Sequence, residues 1–128
     1  MRNALEEDGW TITHDPFKVS VDGIGFEVDL GTEKLLGAEK SGRKIAVEVK
    51  SFLRASLVTD FHQAIGQCLS YKSAFKLNNI ERVLYLGIPL RVYVQMKNAR
   101  FYFATLEEAG ICLIVFDLTT ETIVAWKE

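Results

Sequence analysis

The chain has 128 residues, the size of one domain with its own hydrophobic core, and we predict a single domain spanning residues 1–128. Its composition, 48% hydrophobic and 25% charged, excludes intrinsic disorder, and its net charge of −2 does not indicate general nucleic-acid binding. No apolar run approaches the roughly 18 residues of a membrane span, and no signal peptide is recognisable, so we expect a cytoplasmic protein.

The cysteines and histidines do not form a pattern typical of a disulfide or a zinc site. Cys68 and Cys112 lie far apart in separate apolar stretches, and His14 and His62 are equally isolated. Charge is distributed unevenly, because residues 33–54 hold six basic and three acidic side chains. Such a segment indicates either a basic patch that meets phosphate or an ordinary solvated surface.

The first 43 residues predict a short helix, extended segments and a polar connection. "MRNALEEDGW" predicts a helix that ends near Gly9, and "TITHDPFKVSVDG" is extended, interrupted at Pro16 and closed by a turn. "GFEVDLG" alternates as a strand does, with Glu27 and Asp29 on the face opposite its apolar residues. "GTEKLLGAEKSGR" is polar and punctuated by glycine, which favours a connection without regular structure.

The remainder predicts two helices and four strands. A strand, "KIAVEVKSF", is followed by a helix over residues 60–77 with Thr59 or Asp60 as its N-cap. Its predicted apolar stripe consists of Phe61, Ala64, Ile65, Cys68 and Leu69. The strand "RVLYLGIPL", a helix ending at Gly110 and the strands "ICLIVFD" and "TIVAWKE" follow. The predicted order is α-β-β-β-α-β-α-β-β, a mixed β-sheet flanked by helices, with a strand–helix–strand crossover that makes two strands parallel.

Acidic and basic side chains share one face of the central strand. Alternation places Glu48 and Lys50 together, opposite an apolar face, and the carboxylate of Asp29 can converge with them if its strand pairs with this one. Two carboxylates about 4 Å apart repel by roughly 4 kcal/mol, so they need a proton, a lysine or a cation. Mg²⁺ suits such a pair, although an ordinary charged outer face would carry the same residues.

The following helix can add polar groups to this cluster. Gln63, Gln67 and Tyr71 recur at intervals of four, which places them on one ridge opposite the predicted apolar stripe. That ridge either faces solvent or points at Glu48 and Lys50, where amide and phenol groups can hold a phosphate oxygen or a water. Glu6 or Glu7, on the first helix, could supply another acid.

This set of residues resembles the PD-(D/E)xK nuclease superfamily. The matching positions are Asp29, then Glu48-Val49-Lys50, then Gln67-x-x-x-Tyr71, which is similar to the RecB-like branch. The proline of the first motif is absent, because Val28 precedes the aspartate. The resemblance implies a restriction-endonuclease-like α/β fold, with Asp29, Glu48 and the Val49 carbonyl holding Mg²⁺ and Lys50, Gln67 and Tyr71 completing a catalytic site.

Longer segments resemble the cyanobacterial XisH family of fdxN element excision controlling factors. They are "ALEEDGWTITHDP", "DLGTEKLLGAEKSGRKIAVEVKSF" and "ERVLYLGIPL". The resemblance implies a role in removing a DNA element in nitrogen-fixing heterocysts, beside a site-specific recombinase and a companion, XisI. We expect either a Mg²⁺-dependent DNA endonuclease, acting as a homodimer if both strands are cut, or a non-catalytic nuclease-like module that recruits XisI, the recombinase or DNA.

Overall fold

The computed structural model describes residues 1–21, 24–26, 33–52 and 56–128, in twelve helices and strands. The helices are α1 (Arg2–Glu7), α2 (Leu57–Leu77), α3 (Leu90–Met96) and α4 (Arg100–Ala109). The strands are β1 (Thr11–His14), β2 (Val19–Val21), β3 (Ile24–Phe26), β4 (Glu33–Lys40), β5 (Arg43–Lys50), β6 (Val83–Pro89), β7 (Cys112–Asp117) and β8 (Thr122–Lys127).

Six of these strands form one mixed sheet in the order β1-β4-β5-β6-β7-β8. The pairs β5–β6 and β6–β7 are parallel and the other pairs are antiparallel, whereas β2 and β3 form a separate hairpin. The mixed sheet and its parallel crossover through α2 confirm that part of the prediction. Because β5, β6 and β7 run in the same direction, their C-terminal ends lie at the same end of the sheet.

The sheet separates two hydrophobic cores. One face, which we call the α2 face, carries α2, α3 and α4, and its core includes Ala46 and Leu86 of the central strands. The other, the α1 face, carries α1 and a core that includes Leu5 and Val47. Successive residues of a strand point to opposite faces, so each residue of β5 belongs to one core or the other. No helix in the described ranges is long and apolar enough to cross a membrane.

The polar connection predicted before β5 is wrong, because residues 33–40 form strand β4. Leu35 and Leu36 are buried on opposite faces of the sheet, and β4 pairs with both β1 and β5. Ser41 and Gly42 have φ values of 51° and 80°, the left-handed conformation that a two-residue hairpin turn requires. The charged residues and the glycine of this segment favoured a connection, but it is a strand that is paired on both sides.

The predicted order also lacks one helix. The segment ending at Gly110 predicted one helix over residues 94–110, but α3 ends at Met96 and α4 begins at Arg100. The second of these helices ends at Gly110, as predicted, and Gly110 adopts a left-handed conformation with φ 65°. The N-cap of α2 is Ser56 rather than Thr59 or Asp60, because the Thr59 amide donates to the Ser56 hydroxyl at 3.2 Å.

Candidate functional site

Glu48 is the central residue of the candidate site. Its backbone lies in the middle of the sheet, paired with Leu35 of β4 and Leu86 of β6, and its side chain is 0% exposed. Among the described residues, neither carboxylate oxygen has a hydrogen-bond partner. Burial raises the pKa of Glu48 from 4.5 to about 8, because the charged form is poorly solvated there.

Lys50 lies two residues further along β5, on the same face. Its side chain is 2% exposed, and its Nζ donates a hydrogen bond to Oε1 of Gln63 on α2 at 3.1 Å. The predicted alternation of β5 is therefore confirmed for Glu48 and Lys50. The alternative of an ordinary solvated charged face is wrong, because α2 covers both side chains.

Tyr71 and Cys68 of α2 are neighbours of Glu48 and are 3% and 0% exposed. Burial raises the pKa of both groups, and the charge of Glu48 raises each of them further. The Tyr71 hydroxyl lies close enough to Glu48 to lower the pKa of the carboxyl, although neither Glu48 oxygen has a hydrogen bond of normal geometry among the described residues. The phenol and the carboxyl are therefore close neighbours, and burial dominates the pKa of the acid.

The ridge of Gln63, Gln67 and Tyr71 lies toward the sheet at both of its ends, which agrees with the second of the two alternatives. Gln63 reaches Lys50 and Tyr71 reaches Glu48, while Gln67 lies half-buried between them on α2. The predicted apolar stripe is partly wrong, because Leu69 is 44% exposed. The helix is rotated so that Tyr71, rather than Leu69, covers β5.

Asp29 lies outside the described residues. Its predicted strand is described only as β3, which pairs with β2, and both edges of β5 are occupied by β4 and β6. Among the described residues, β3 therefore does not pair with β5, and the conditional convergence of Asp29 with Glu48 lies outside them. Glu33, four residues after Asp29, is the backbone partner of Lys50.

The first helix does not contribute an acid to this site. Glu6 is exposed and forms an ion pair with Arg2 at 3.0 Å, and α1 packs on the α1 face of the sheet. The Glu48 side chain lies on the opposite face, so the expectation that Glu6 or Glu7 would join it is wrong.

No pattern in the sequence indicated a role for Arg91, which lies near the start of α3. Its Nη2 donates hydrogen bonds to the carbonyl oxygens of Ser51 at 2.7 Å and Phe52 at 3.1 Å. These contacts hold the backbone that directly follows Lys50, where Phe52 has a φ of 56°. A cation just after the C-terminal end of a parallel strand is the signal that could have identified it.

The described residues do not bring three His, Cys, Asp or Glu side chains together in a group that could hold a metal ion. Of the two carboxylates predicted to hold a cation, Glu48 is the one that lies within the described residues. Mg²⁺ needs only one or two protein carboxylates and takes its other ligands from water and phosphate. The buried carboxylate fits such an ion, because a cation would offset the free-energy cost of burying its charge without a hydrogen-bond donor.

The sheet and its covered acid–lysine pair define a mixed α/β protein with a polar site buried between β5 and α2. A family model described as XisH protein matches residues 1–124, and the chain belongs to the XisH family. This confirms the family predicted from the sequence.

Two solved structures resemble the whole chain. An XisH family protein from Nostoc punctiforme is 41% identical, with a TM-score of 0.89 over 99% of this chain and 94% of that one. An fdxN element excision controlling factor protein from Anabaena variabilis is 39% identical, with a TM-score of 0.88 and the same two coverages. No curated protein matches.

Proposed function

We propose that this XisH-family chain is a Mg²⁺-dependent endodeoxyribonuclease with a restriction-endonuclease-like fold, acting during the excision of a DNA element. The observation that carries the proposal is Glu48, a fully buried carboxyl without a hydrogen-bond partner in the described chain, two residues from buried Lys50. Burying an acid in this way is costly, and perturbed acids of this kind are concentrated at functional sites.

The groups that would hold the cation are Glu48, the Val49 carbonyl and Asp29. Asp29 precedes Glu33 by four residues, and Glu33 pairs with Lys50 across the β4–β5 ladder. Four residues of fully extended chain span at most about 14 Å, so the connection from Glu33 to Asp29 is compatible with a shared site at this end of the sheet. When bound, the cation supplies Lewis-acid stabilisation of the scissile phosphate and lowers the pKa of a coordinated water.

The residues on α2 orient the remaining groups. Gln63 accepts a hydrogen bond from Lys50 and so fixes its ammonium group, which can then position a water for attack on the phosphorus. Tyr71 and Gln67 would orient the carboxylate and the phosphate as donors. This division of roles agrees with the similarity of these positions to the PD-(D/E)xK motif.

The relatives support an excision role at the level of their names, since one is called an fdxN element excision controlling factor. We propose DNA, an XisI-like companion and a site-specific recombinase as partners. A single site cuts one strand, so cutting both strands would require a homodimer.

The experiment compares DNA cleavage by the wild-type chain and by Lys50→Ala in Mg²⁺ and in EDTA. We expect the wild type to nick supercoiled plasmid only with Mg²⁺, and Lys50→Ala to lose at least 100-fold in rate, the scale of a lost acid–base group. Calorimetry should show Mg²⁺ or Mn²⁺ binding to the wild type and weaker binding to Glu48→Gln.

Lys44→Ala is the matched control, because Lys44 is an exposed lysine at the other end of the same strand. It should keep full activity, and circular dichroism should show that all variants remain folded. Full activity of Lys50→Ala would contradict the role of the lysine. Absence of both metal binding and cleavage would instead favour a non-catalytic module that recruits its partners.

A further inference from the structure

A long segment of the chain carries cations without acids. Residues 82–106 contain four arginines or lysines and no aspartate or glutamate, although the whole protein has a net charge of −2. This segment includes α3 and the start of α4, both on the α2 face. Three of its four cations, Arg91, Lys97 and Arg100, lie in or beside these two helices, whereas Arg82 contacts the Ala38 and Ile45 carbonyls.

The cations of this surface have no acidic partner among the described residues. Arg91, Lys97, Arg100 and Lys127, which we call the α3 strip, are exposed and form no ion pair within the described part of the chain. The ammonium groups of Lys97 and Lys127 lie 4.8 Å and 5.8 Å from the centroid of one ring, that of Tyr93. Two like charges on one aromatic ring repel each other, which favours an anion beside them.

An exposed aromatic ring adjoins the strip. Phe101 follows Arg100 directly, is 47% exposed, and lies 6.0 Å from the exposed His62 ring. Aromatic faces next to cations are typical of surfaces that bind unpaired nucleotides, because every base can stack on such a ring. In a duplex the bases are already stacked and do not reach such a ring.

Arg91 connects the strip to the candidate site. It begins the strip and also holds the Ser51 and Phe52 carbonyls, directly after Lys50. A groove of about 700 Å³ is lined on one side by Arg91, Val94 and Gln95 of α3. Asp117 also lines this groove, but its Oδ1 accepts hydrogen bonds from the Thr119 and Thr120 amides.

We propose that the α3 strip binds a single DNA strand, with its cations on the phosphates and a base stacked on Phe101. The inference rests on the proposed function in one respect, namely that the bound DNA strand would lead from the strip to Lys50. Binding to the strip itself requires no metal and no cleavage.

The experiment measures fluorescence anisotropy of a labelled 20-nucleotide single strand, in EDTA, over a series of salt concentrations. Lys97→Gln/Arg100→Gln should weaken binding about tenfold and reduce the slope of log K against log salt by about 1.4, since each single-strand phosphate contact contributes about 0.7. Phe101→Leu should weaken binding about tenfold with the slope unchanged, because stacking releases no counterions.

The matched control is Lys44→Gln/Lys76→Gln, which removes two exposed lysines from β5 and α2 and should leave affinity and slope unchanged. An equal loss in this control, tighter binding of the matching duplex, or no binding by the wild type would overturn the inference. Because EDTA prevents cleavage, normal binding by an inactive protein would contradict the proposed function and leave the strip supported.

Discussion

At the scale of single residues, the burial of Glu48 is the feature with the largest chemical consequence. A carboxylate that is 0% exposed loses its hydration, and no group among the described residues donates a hydrogen bond to either oxygen. Burial therefore raises the pKa of this acid to about 8 and leaves it protonated near neutral pH without a cation. Metal binding at this site would release that proton.

The raised pKa of Glu48 predicts that the metal-free protein loses stability as the pH rises. Between about 4.5 and about 8 the carboxyl is ionised in the unfolded chain and protonated in the folded one, so raising the pH favours unfolding. The free energy of unfolding should fall by up to about 5 kcal/mol across this window. Urea denaturation in EDTA at pH 5 and pH 8 measures this change, and Glu48→Gln should abolish most of it.

The comparison between the wild type and Glu48→Gln removes the contribution of the other titrating groups, which both proteins share. If the two proteins show the same pH dependence, the Glu48 carboxyl is hydrated in the folded state. The proposal of a cation at this position would then lose its main support.

At the scale of elements, two glycines show how differently α2 and β4 constrain the chain. Gly66 lies in the middle of α2, and a Cβ built there has nothing within 4 Å. Gly37 lies in β4, and a Cβ there would meet Phe17 at 2.7 Å and His14 at 2.8 Å. Gly66 can therefore be replaced by a larger residue, whereas Gly37 cannot be replaced unless the rings of Phe17 and His14 move.

We therefore expect Gly66→Ala to raise the free energy of unfolding by about 0.5–1 kcal/mol, because alanine restricts the unfolded chain and favours a helix. Gly37→Ala should lower it by about 1–3 kcal/mol, the usual range for overpacking. Urea denaturation of the two variants measures both changes. A neutral Gly37→Ala would mean that the rings of Phe17 and His14 move aside.

At the scale of the whole molecule, the sheet divides the chain into a face with the candidate site and a face that stabilises it. The α1 face is covered by α1, whose Leu5 is 0% exposed, and by Trp10, whose ring lies 5.6 Å from that of Trp126. A helix of six residues is not stable by itself, so its packing maintains it. Glu48 and Lys50 lie across the sheet from this layer.

Leu5→Ala should consequently reduce stability without changing the candidate site. We expect the free energy of unfolding to fall by about 2–5 kcal/mol, the usual cost of truncating a buried leucine. Metal binding at a temperature where the variant is folded should remain that of the wild type. A loss of metal affinity in folded Leu5→Ala would show that the two faces are coupled.

The amino-acid sequence determined the features that depend on local periodicity. Alternation placed Glu48 and Lys50 on one face of β5, and the predicted strands β6, β7 and β8 are present. The family and the mixed sheet followed from the same residues and their resemblances. The strands can be predicted in this way because the alternation of apolar and polar side chains involves residues that are close together in the sequence.

The tertiary structure alone decided which residues are buried and what they meet. Residues 33–40 form β4 because strands on both edges accept their hydrogen bonds, and Tyr71 rather than Leu69 turns inward to lie against Glu48. Arg91 reaches Ser51 across 40 residues of sequence. Such contacts join segments that are distant along the chain, and no local periodicity records which of two faces a neighbouring element will cover.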